Sequence, residues 1–308
     1  MKEKISVVLA SYNGEKYIEE QLLSIAGQTR TADEVLIVDD HSCDKTTDIV
    51  RDIINDRHPD YWKMSVNKEN VGYARNFING INAATGDIIF LSDQDDIWHS
   101  DKIEKMMQCF QKNPKACLLL SDCRYFYEDT KQKQVNRTTD LHFDKESGKV
   151  YKRNNWSCIK GLGCTFALRK SLLPIVNALW FPGYPHDLCI WHAAALCDGI
   201  YFCNEKLLDY RRHGNNVSGQ FERSVRFRTD CIHQHILYLK RMQEYVMSAE
   251  EVLSITSEEL EKQIKFWEDR KKYLEERNYL LWLKMSDRLS YYDRKRNWVS
   301  DLFCMVKQ

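Results

Sequence analysis

The 308 residues hold 45 Lys+Arg against 45 Asp+Glu, and 43% are hydrophobic, 12% aromatic. That apolar content excludes wholesale disorder, and the zero net charge argues against a dedicated nucleic-acid binder, whose footprint is basic. The length predicts one large domain or one domain with a sizeable appendage.

Along the first hundred residues strand and helix patterns alternate. Ile5 to Ala10 is a short apolar run suited to a strand buried on both faces, closed by Ser11-Tyr12-Asn13-Gly14, and a helical pattern follows through Tyr17, Ile18, Gln21, Leu22 and Ile25. Glu34 to Val38 is a second strand ending in Asp39-Asp40, with a helix from about Lys45 to Ile54 and a third strand near Trp62 to Val66. A helix from about Tyr73 to Ala84 leads through Gly86-Asp87 into the fourth strand, Ile88 to Leu91, which stops at Ser92-Asp93-Gln94-Asp95-Asp96. This βαβαβαβ order predicts a doubly wound α/β sheet, and such sheets bind ligands beyond the carboxyl ends of their strands.

From about Leu118 the pattern changes to short strands, at Leu118–Ser121, Thr165–Leu168 and Leu207–Tyr210, with a polar excursion over 128–155. From about Phe221 the chain reads as helices. Leu260, Ile264, Trp267, Leu274, Leu281 and Met285 keep helical spacing, and Glu258/Lys262, Glu261/Lys265 and Glu268/Lys272 predict i,i+4 ion pairs. The predicted division is 1–220 (a donor half of about 1–100, an acceptor half of about 101–220) and a helical extension, 221–308.

No segment nears the ~18 apolar residues of a membrane span, and Ile5–Ala10 is too short for a signal-peptide core, so the expected location is cytoplasmic. Eleven cysteines without a CxxC pair predict neither a zinc site nor a disulfide framework, and most are read as small buried hydrophobes. Three Asn-X-Ser/Thr triplets, at 136, 155 and 216, are read as chance.

Three strand ends carry polar clusters, and neither GxGxxG nor a P-loop is present to cradle phosphates. Carboxylates alternating in Asp93-Gln94-Asp95-Asp96 can converge on one hard cation, which would neutralise a departing diphosphate; the plainer alternative is an acidic turn before a helix capped by Ser100 or Asp101. Asp40 can accept the imide N–H of uracil or thymine, whereas Asp44 and Ser42 are also ordinary helix caps.

The segments Val7–Gly14, Ile37–Ser42, Asn70–Asn76 and Phe90–Trp98 resemble, in order and spacing, those of the family 2 glycosyltransferases, and within them the bacterial rhamnosyltransferase-like members with SDQDD(V/I)W. The resemblance covers roughly the first 220 residues. It implies a GT-A fold, a nucleotide-sugar donor, a divalent metal (Mn²⁺ or Mg²⁺) and an inverting transfer to a glycan or lipid-linked acceptor in bacterial cell-surface polysaccharide or glycoconjugate synthesis. Carried over by residue, it assigns nucleotide-sugar binding to Ala10, Tyr12, Asp40, Arg75, Asp93 and Gln94. Asp93 and Asp95 fall in the metal motif, Gly163 and Cys164 in a segment bordering the acceptor pocket. In Pro185-His186-Asp187-Leu188, Asp187 matches the catalytic base, and His186 replaces the family's usual Glu. A helix N-cap is the alternative reading of Asp187, since 188–196 reads as helical. Arg212 and His213, in Tyr210–Gly219, suit a loop closing over a diphosphate.

Two other functions are weighed. A sugar-nucleotide pyrophosphorylase would need a Gly-rich, Arg-containing loop after the first strand, where Ser11-Tyr12-Asn13-Gly14-Glu15 stands; a non-catalytic sugar-nucleotide-binding relative would not need intact Asp93, Asp95 and Asp187. Residues 270–308 hold ten Lys/Arg against five Asp/Glu, interleaved with Trp282, Tyr291, Tyr292, Trp298 and Phe303. That mixture suits peripheral contact with an anionic membrane on its inner face, or packing on the catalytic domain or a second subunit of a homo-oligomer.

Overall fold

Apolar runs without polar alternation form the central strands of the computed structural model, which describes residues 3–57, 60–128, 147–149, 159, 161–214, 224–250, 253–292 and 295–306. β1 (Ile5–Ser11), α1 (Ile18–Ala26), β2 (Glu34–Asp39), α2 (Thr46–Arg57), β3 (Trp62–Val66), α3 (Tyr73–Ala83) and β4 (Ile88–Ser92) follow in turn. The four strands are parallel in the order 3-2-1-4, so the winding reverses between β1 and β4. β1, β2 and β4 are buried almost throughout, while β3, at the edge, is mostly exposed. The expected wound order is therefore present, and it puts the ends of β1, β2 and β4 side by side at the switch point.

Next come β5 (Ile97–Trp98), α4 (Lys102–Lys112), β6 (Leu118–Tyr127), β7 (Ser147–Lys149), β8 (Phe166–Arg169), α5 (Leu173–Leu179), α6 (His186–Leu196) and β9 (Ile200–Arg212). β8 lies antiparallel between β4 and β6, β6 runs parallel to β9, and β5 and β7 both pair antiparallel with β9. β6 and β9 are much longer than the predicted four-residue runs. Their pairing continues through register shifts around Asp122, and polar residues there and at Asn204–Lys206 break the apolar pattern without ending the ladder. The three glycosylation triplets and most of the polar excursion lie outside the described residues.

The last quarter holds α7 (Val225–Ser248), α8 (Ser257–Glu276), α9 (Tyr279–Lys284), a 3₁₀ stretch over Met285–Tyr291, and α10 (Lys295–Val306). A Thr256–Glu259 capping box starts α8, and Arg277 at φ 51° ends it, so the single expected stripe is divided between two helices. Of the three expected i,i+4 pairs only Glu258–Lys262 forms; Lys265 pairs with Asp269, and Glu268 reaches Lys240 on α7. Lys265 thus pairs one turn onward within α8 instead of one turn back, and only Glu268 is drawn away by packing against another helix. One apolar core runs from Val8 and Leu91 through Trp191 and Leu239 to Phe266 and Met305, and a second fills the opposite face of the sheet around Leu9, Phe90 and Phe110. Cys109, Cys123, Cys164, Cys189, Cys203 and Cys304 are buried as expected, whereas Cys43, Cys197 and Cys231 are exposed.

Candidate functional site

The turns after β1 and β2 are laced together. Ser11 Oγ donates to Asp39 (2.8 Å), Asn13 N–H to Ser42 Oγ (2.8 Å), Cys43 N–H to Asn13 Oδ1 (2.9 Å) and Gly14 N–H to Thr46 Oγ1 (2.7 Å). Asp44 takes the N–H of Thr46, the first residue of α2, so the capping reading holds for Asp44; Ser42 instead gives its N–H and hydroxyl to Asp39 and caps nothing. The turn after β4 joins them through Gln94: its Oε1 accepts Tyr12 N–H (2.9 Å) and its Nε2 donates to Tyr12 O (3.0 Å). A Cβ on Gly14 would lie 2.2 Å from Gln94 Oε1, so this bracket requires glycine there. Gln94 thus holds the backbone of the candidate binding turn with both ends of its amide. Ala10 is half-buried and Tyr12 exposed at the same edge.

Asp40 is buried. It accepts N–H groups from Val71 and Gly72 (2.8 Å each) and from Asn67 Nδ2 (2.9 Å), which in turn donates to Asn76 Oδ1 (2.9 Å). Gly72, at φ 85°, gives the chain the bend that aims both amides at the carboxylate. Asp40 therefore anchors the start of α3, from which Arg75 projects exposed with its guanidinium 5.6 Å over the Trp180 ring.

The acidic turn is not a solvated cap. Asp101 is the N-cap of α4 but makes no side-chain capping bond, pairing instead with Lys105 (3.0 Å). Asp96 is fully buried: Oδ1 accepts Arg211 N–H (3.2 Å), and Oδ2 is buried with no hydrogen-bond partner. Burial and then the Asp95 charge push its carboxyl up to about 7; burial and then Asp96, Asp95 and Asp187 push Asp93 well above the carboxylate range. Beneath them the fully buried Lys102 donates to Cys164 O (3.1 Å) and lies 4.4 Å over Trp98, burial pulling its pKa down to about 8. Asp93, Asp96 and Cys164 offer ligand atoms within 4.8 Å of one another, but Lys102 already supplies positive charge there. Asp95 Oδ2 instead meets His213 Nε2 at 2.7 Å. Buried Arg211 braces this corner: Nε donates to Asp95 O (2.9 Å), the guanidinium pairs with Glu20, and it lies over Tyr17 (4.9 Å), whose ring stacks on His213 (4.8 Å). The half-buried Arg212 lies 5.9 Å over Tyr210. Asn215–Gly219 of the same loop lie outside the described residues.

Asp187 completes the cluster. α6 begins two residues earlier than the capping alternative required: Pro185 is its N-cap and Asp187 lies inside the first turn. A Cβ on Gly163 would stand 3.3 Å from Asp187 Cβ and 3.5 Å from His186 Nε2, so the absent side chain leaves the base candidate uncovered on that side. The Asp187 charge is felt by Asp93, and it adds to the burial that raises the Tyr73 hydroxyl. His186 is buried, stacked 4.2 Å from Phe77, with both ring nitrogens lacking a hydrogen-bond partner; burial lowers its pKa and favours the neutral ring.

Asp93, Asp95, Gly163, Cys164, His186, Asp187 and His213 thus gather about one acidic centre, while Asp40 acts through α3 and Gln94 through the turn after β1. Two contributors escaped the sequence reading: nothing marks Lys102 as the buried lysine of α4, and nothing marks Tyr73 as close to Asp187. Arg211, read with Arg212 as part of a diphosphate loop, instead braces the acidic turn.

The profile described as Glycosyl transferase family 2 matches residues 6–173. An uncharacterised glycosyltransferase of Nostoc sp. is 28% identical over 217 residues, 69% of this chain and 66% of that relative, so the chain spans slightly under two thirds of its length. The dTDP-rhamnosyl transferase RfbG of Shigella flexneri is 29% identical over 227 residues, 68% of this chain and 73% of RfbG. Among solved structures, S. aureus TarS 1–349 in complex with UDP-GlcNAc superposes with a TM-score of 0.65 at 19% identity, covering 97% of this chain and 81% of that one. The fold is GT-A.

Proposed function

Starting from a chain that belongs to glycosyl transferase family 2, we propose an inverting, metal-dependent transferase that moves a sugar from a pyrimidine nucleotide, dTDP-rhamnose or a UDP-hexose, to a hydroxyl of a glycan or lipid-linked acceptor. The observation that carries this reading is the Gly163-Cys164 link at the switch point of the sheet: Gly163 lies against Asp187, and the Cys164 thiol lies within 4.8 Å of Asp93 and Asp96 ligand atoms. RfbG's name supports a dTDP-rhamnose donor, and the UDP-GlcNAc in TarS supports a uridine one.

In this reading Asp187 takes the acceptor hydroxyl's proton as the new bond forms, with Gly163 leaving room for the hydroxyl to approach. Tyr12, the Asp40-anchored start of α3 and Arg75 line the nucleotide, Gln94 keeps Tyr12 in register, and Arg212 closes on the diphosphate. The carboxylate oxygens of Asp93 and Asp95 suit a hard Mn²⁺ or Mg²⁺ ion, His213 sits against Asp95 Oδ2, and the crowding that raises Asp93 is relieved by added positive charge. When bound, such an ion neutralises charge on the departing nucleoside diphosphate. We place the reaction on the cytoplasmic side of a bacterial membrane, with peripheral attachment through 270–308, in cell-surface polysaccharide or glycoconjugate assembly.

Asp187→Asn tests the assignment. It is expected to lower transfer by about 10²–10⁴-fold while donor affinity, read by titration, stays within about twofold. Near-normal turnover of the variant removes Asp187 from the mechanism.

A further inference from the structure

α9 and α10 present one apolar surface to the outside. Tyr279, Leu280, Leu283, Val299, Phe303 and Val306 are all exposed, with Leu280 at 76%, Phe303 at 60% and Val306 at 65%, values large enough to make burial elsewhere favourable. The two helices are clipped together by a reciprocal tryptophan pair. The Trp282 and Trp298 rings stack at 4.2 Å and 4°, and each indole N–H donates to the other's carbonyl oxygen (3.0 and 2.9 Å). Behind them Met285, Tyr292, Cys304 and Met305 are buried, so the face is backed by core and held in shape.

Along α9 to α10 the exposed charges among the described residues are Lys284 and Arg296 against Asp287, while Arg277 stands beside the exposed Glu275 and Glu276 at the end of α8. Asp301 of α10 is fully buried and spent on Arg270, Arg228 and Tyr273. Asp293, Arg294 and Lys307, part of the basic excess read from the sequence, lie outside the described residues.

We propose that the α9–α10 face seats on an anionic lipid bilayer, with Leu280, Leu283 and Phe303 in the headgroup–acyl boundary and Lys284 and Arg296 on lipid phosphates. Basic residues bordering an apolar helix face are the chemistry of an interfacial anchor. The same charge disfavours a second copy as the occupant, because a two-fold contact sets this patch against itself and brings like charges together. No described helix is long and apolar enough to cross a membrane, so the contact is superficial. The inference rests on the peripheral location proposed above and not on catalysis, so flotation and transfer fail separately.

The full chain is floated with vesicles of phosphatidylcholine alone or mixed with phosphatidylglycerol. Wild type is expected on the anionic vesicles only, with less bound as salt rises from about 0.1 to about 1 M, over which the screening length falls from about 10 to about 3 Å. Leu283→Ser with Phe303→Ser, and separately Lys284→Glu with Arg296→Glu, are each expected to reduce binding roughly tenfold while circular dichroism and donor titration stay unchanged. Failure of wild type to float overturns the proposal, as does equal flotation by either folded double variant. A concentration-dependent dimer that Phe303→Ser dissociates, in a protein that does not float, assigns the face to a second copy instead.

Discussion

Gly14 and Gln94 depend on one another, and that dependence is measurable. A methyl at residue 14 would stand 2.2 Å from Gln94 Oε1, so Gly14→Ala must drive the amide off the Tyr12 backbone. Only the movable end of a side chain is displaced, so the expected cost is about 1 kcal/mol in a denaturant titration, with donor affinity weakened roughly tenfold because the turn after β1 loses its bracket. Gln94→Ala should do comparable harm alone and little more in the Gly14→Ala background, since both remove one contact. Additive losses in the double-mutant cycle contradict the coupling. At this scale the sequence revealed identity without geometry: the SDQDD run was recognisable, but that its Gln grips backbone while its last Asp is buried beside Lys102 depends on residues distant in the chain.

Elements were legible where one residue type dominated. β1, β2 and β4 are unbroken apolar runs, and the Asn-Val-Gly before α3 ends where Gly72 must bend. They were obscure where pairing overrode pattern, as in β6 and β9, or where rival partners were close, as for Lys265 and Glu268. The seam between α6 and α7 could not be read at all, since it is built on histidines. His235 Nδ1 shares a hydrogen bond with the Tyr184 hydroxyl (2.8 Å) and its ring lies 6.0 Å from that of His192, with Trp267 and Arg270 of α8 beside it; burial, then His192 and Arg270, lowers its pKa from 6.5 to about 3. The unfolded chain therefore binds the extra proton first. Stability is expected to fall as pH drops below about 6.5 towards 3, by at most about 1.4 kcal/mol per pH unit from this group. His235→Gln should flatten that loss between pH 7 and pH 5 in urea titrations, whereas parallel curves for the two proteins would exclude His235 as a source.

Over the whole molecule, the carboxylates at the switch point set the response to cations. Mn²⁺ is expected to raise the melting temperature, approaching about 2.7 kcal/mol of stabilisation at a hundredfold excess over Kd, and chelator should reverse this and stop transfer together. Asp93→Ala and Asp95→Ala should each blunt the thermal shift; an unchanged shift in both excludes them as ligands. The sheet itself carries a consequence for synthesis. Ile88 faces Arg169 and Phe90 faces Ala167 across the β4–β8 ladder. The outer edge of β4 thus waits for about eighty further residues, roughly 4–16 seconds at bacterial-to-eukaryotic elongation speeds of about 5–20 residues per second. Through that interval Ile88-Ile89-Phe90-Leu91 is an open apolar edge, a template for wrong partners. Nascent chains stalled before Phe166 are expected to aggregate or to be retained by chaperones, and those stalled once Arg169 has cleared the ribosome are expected to be released from both fates. The vulnerable period of this protein's life is then set by the delayed arrival of a four-residue strand.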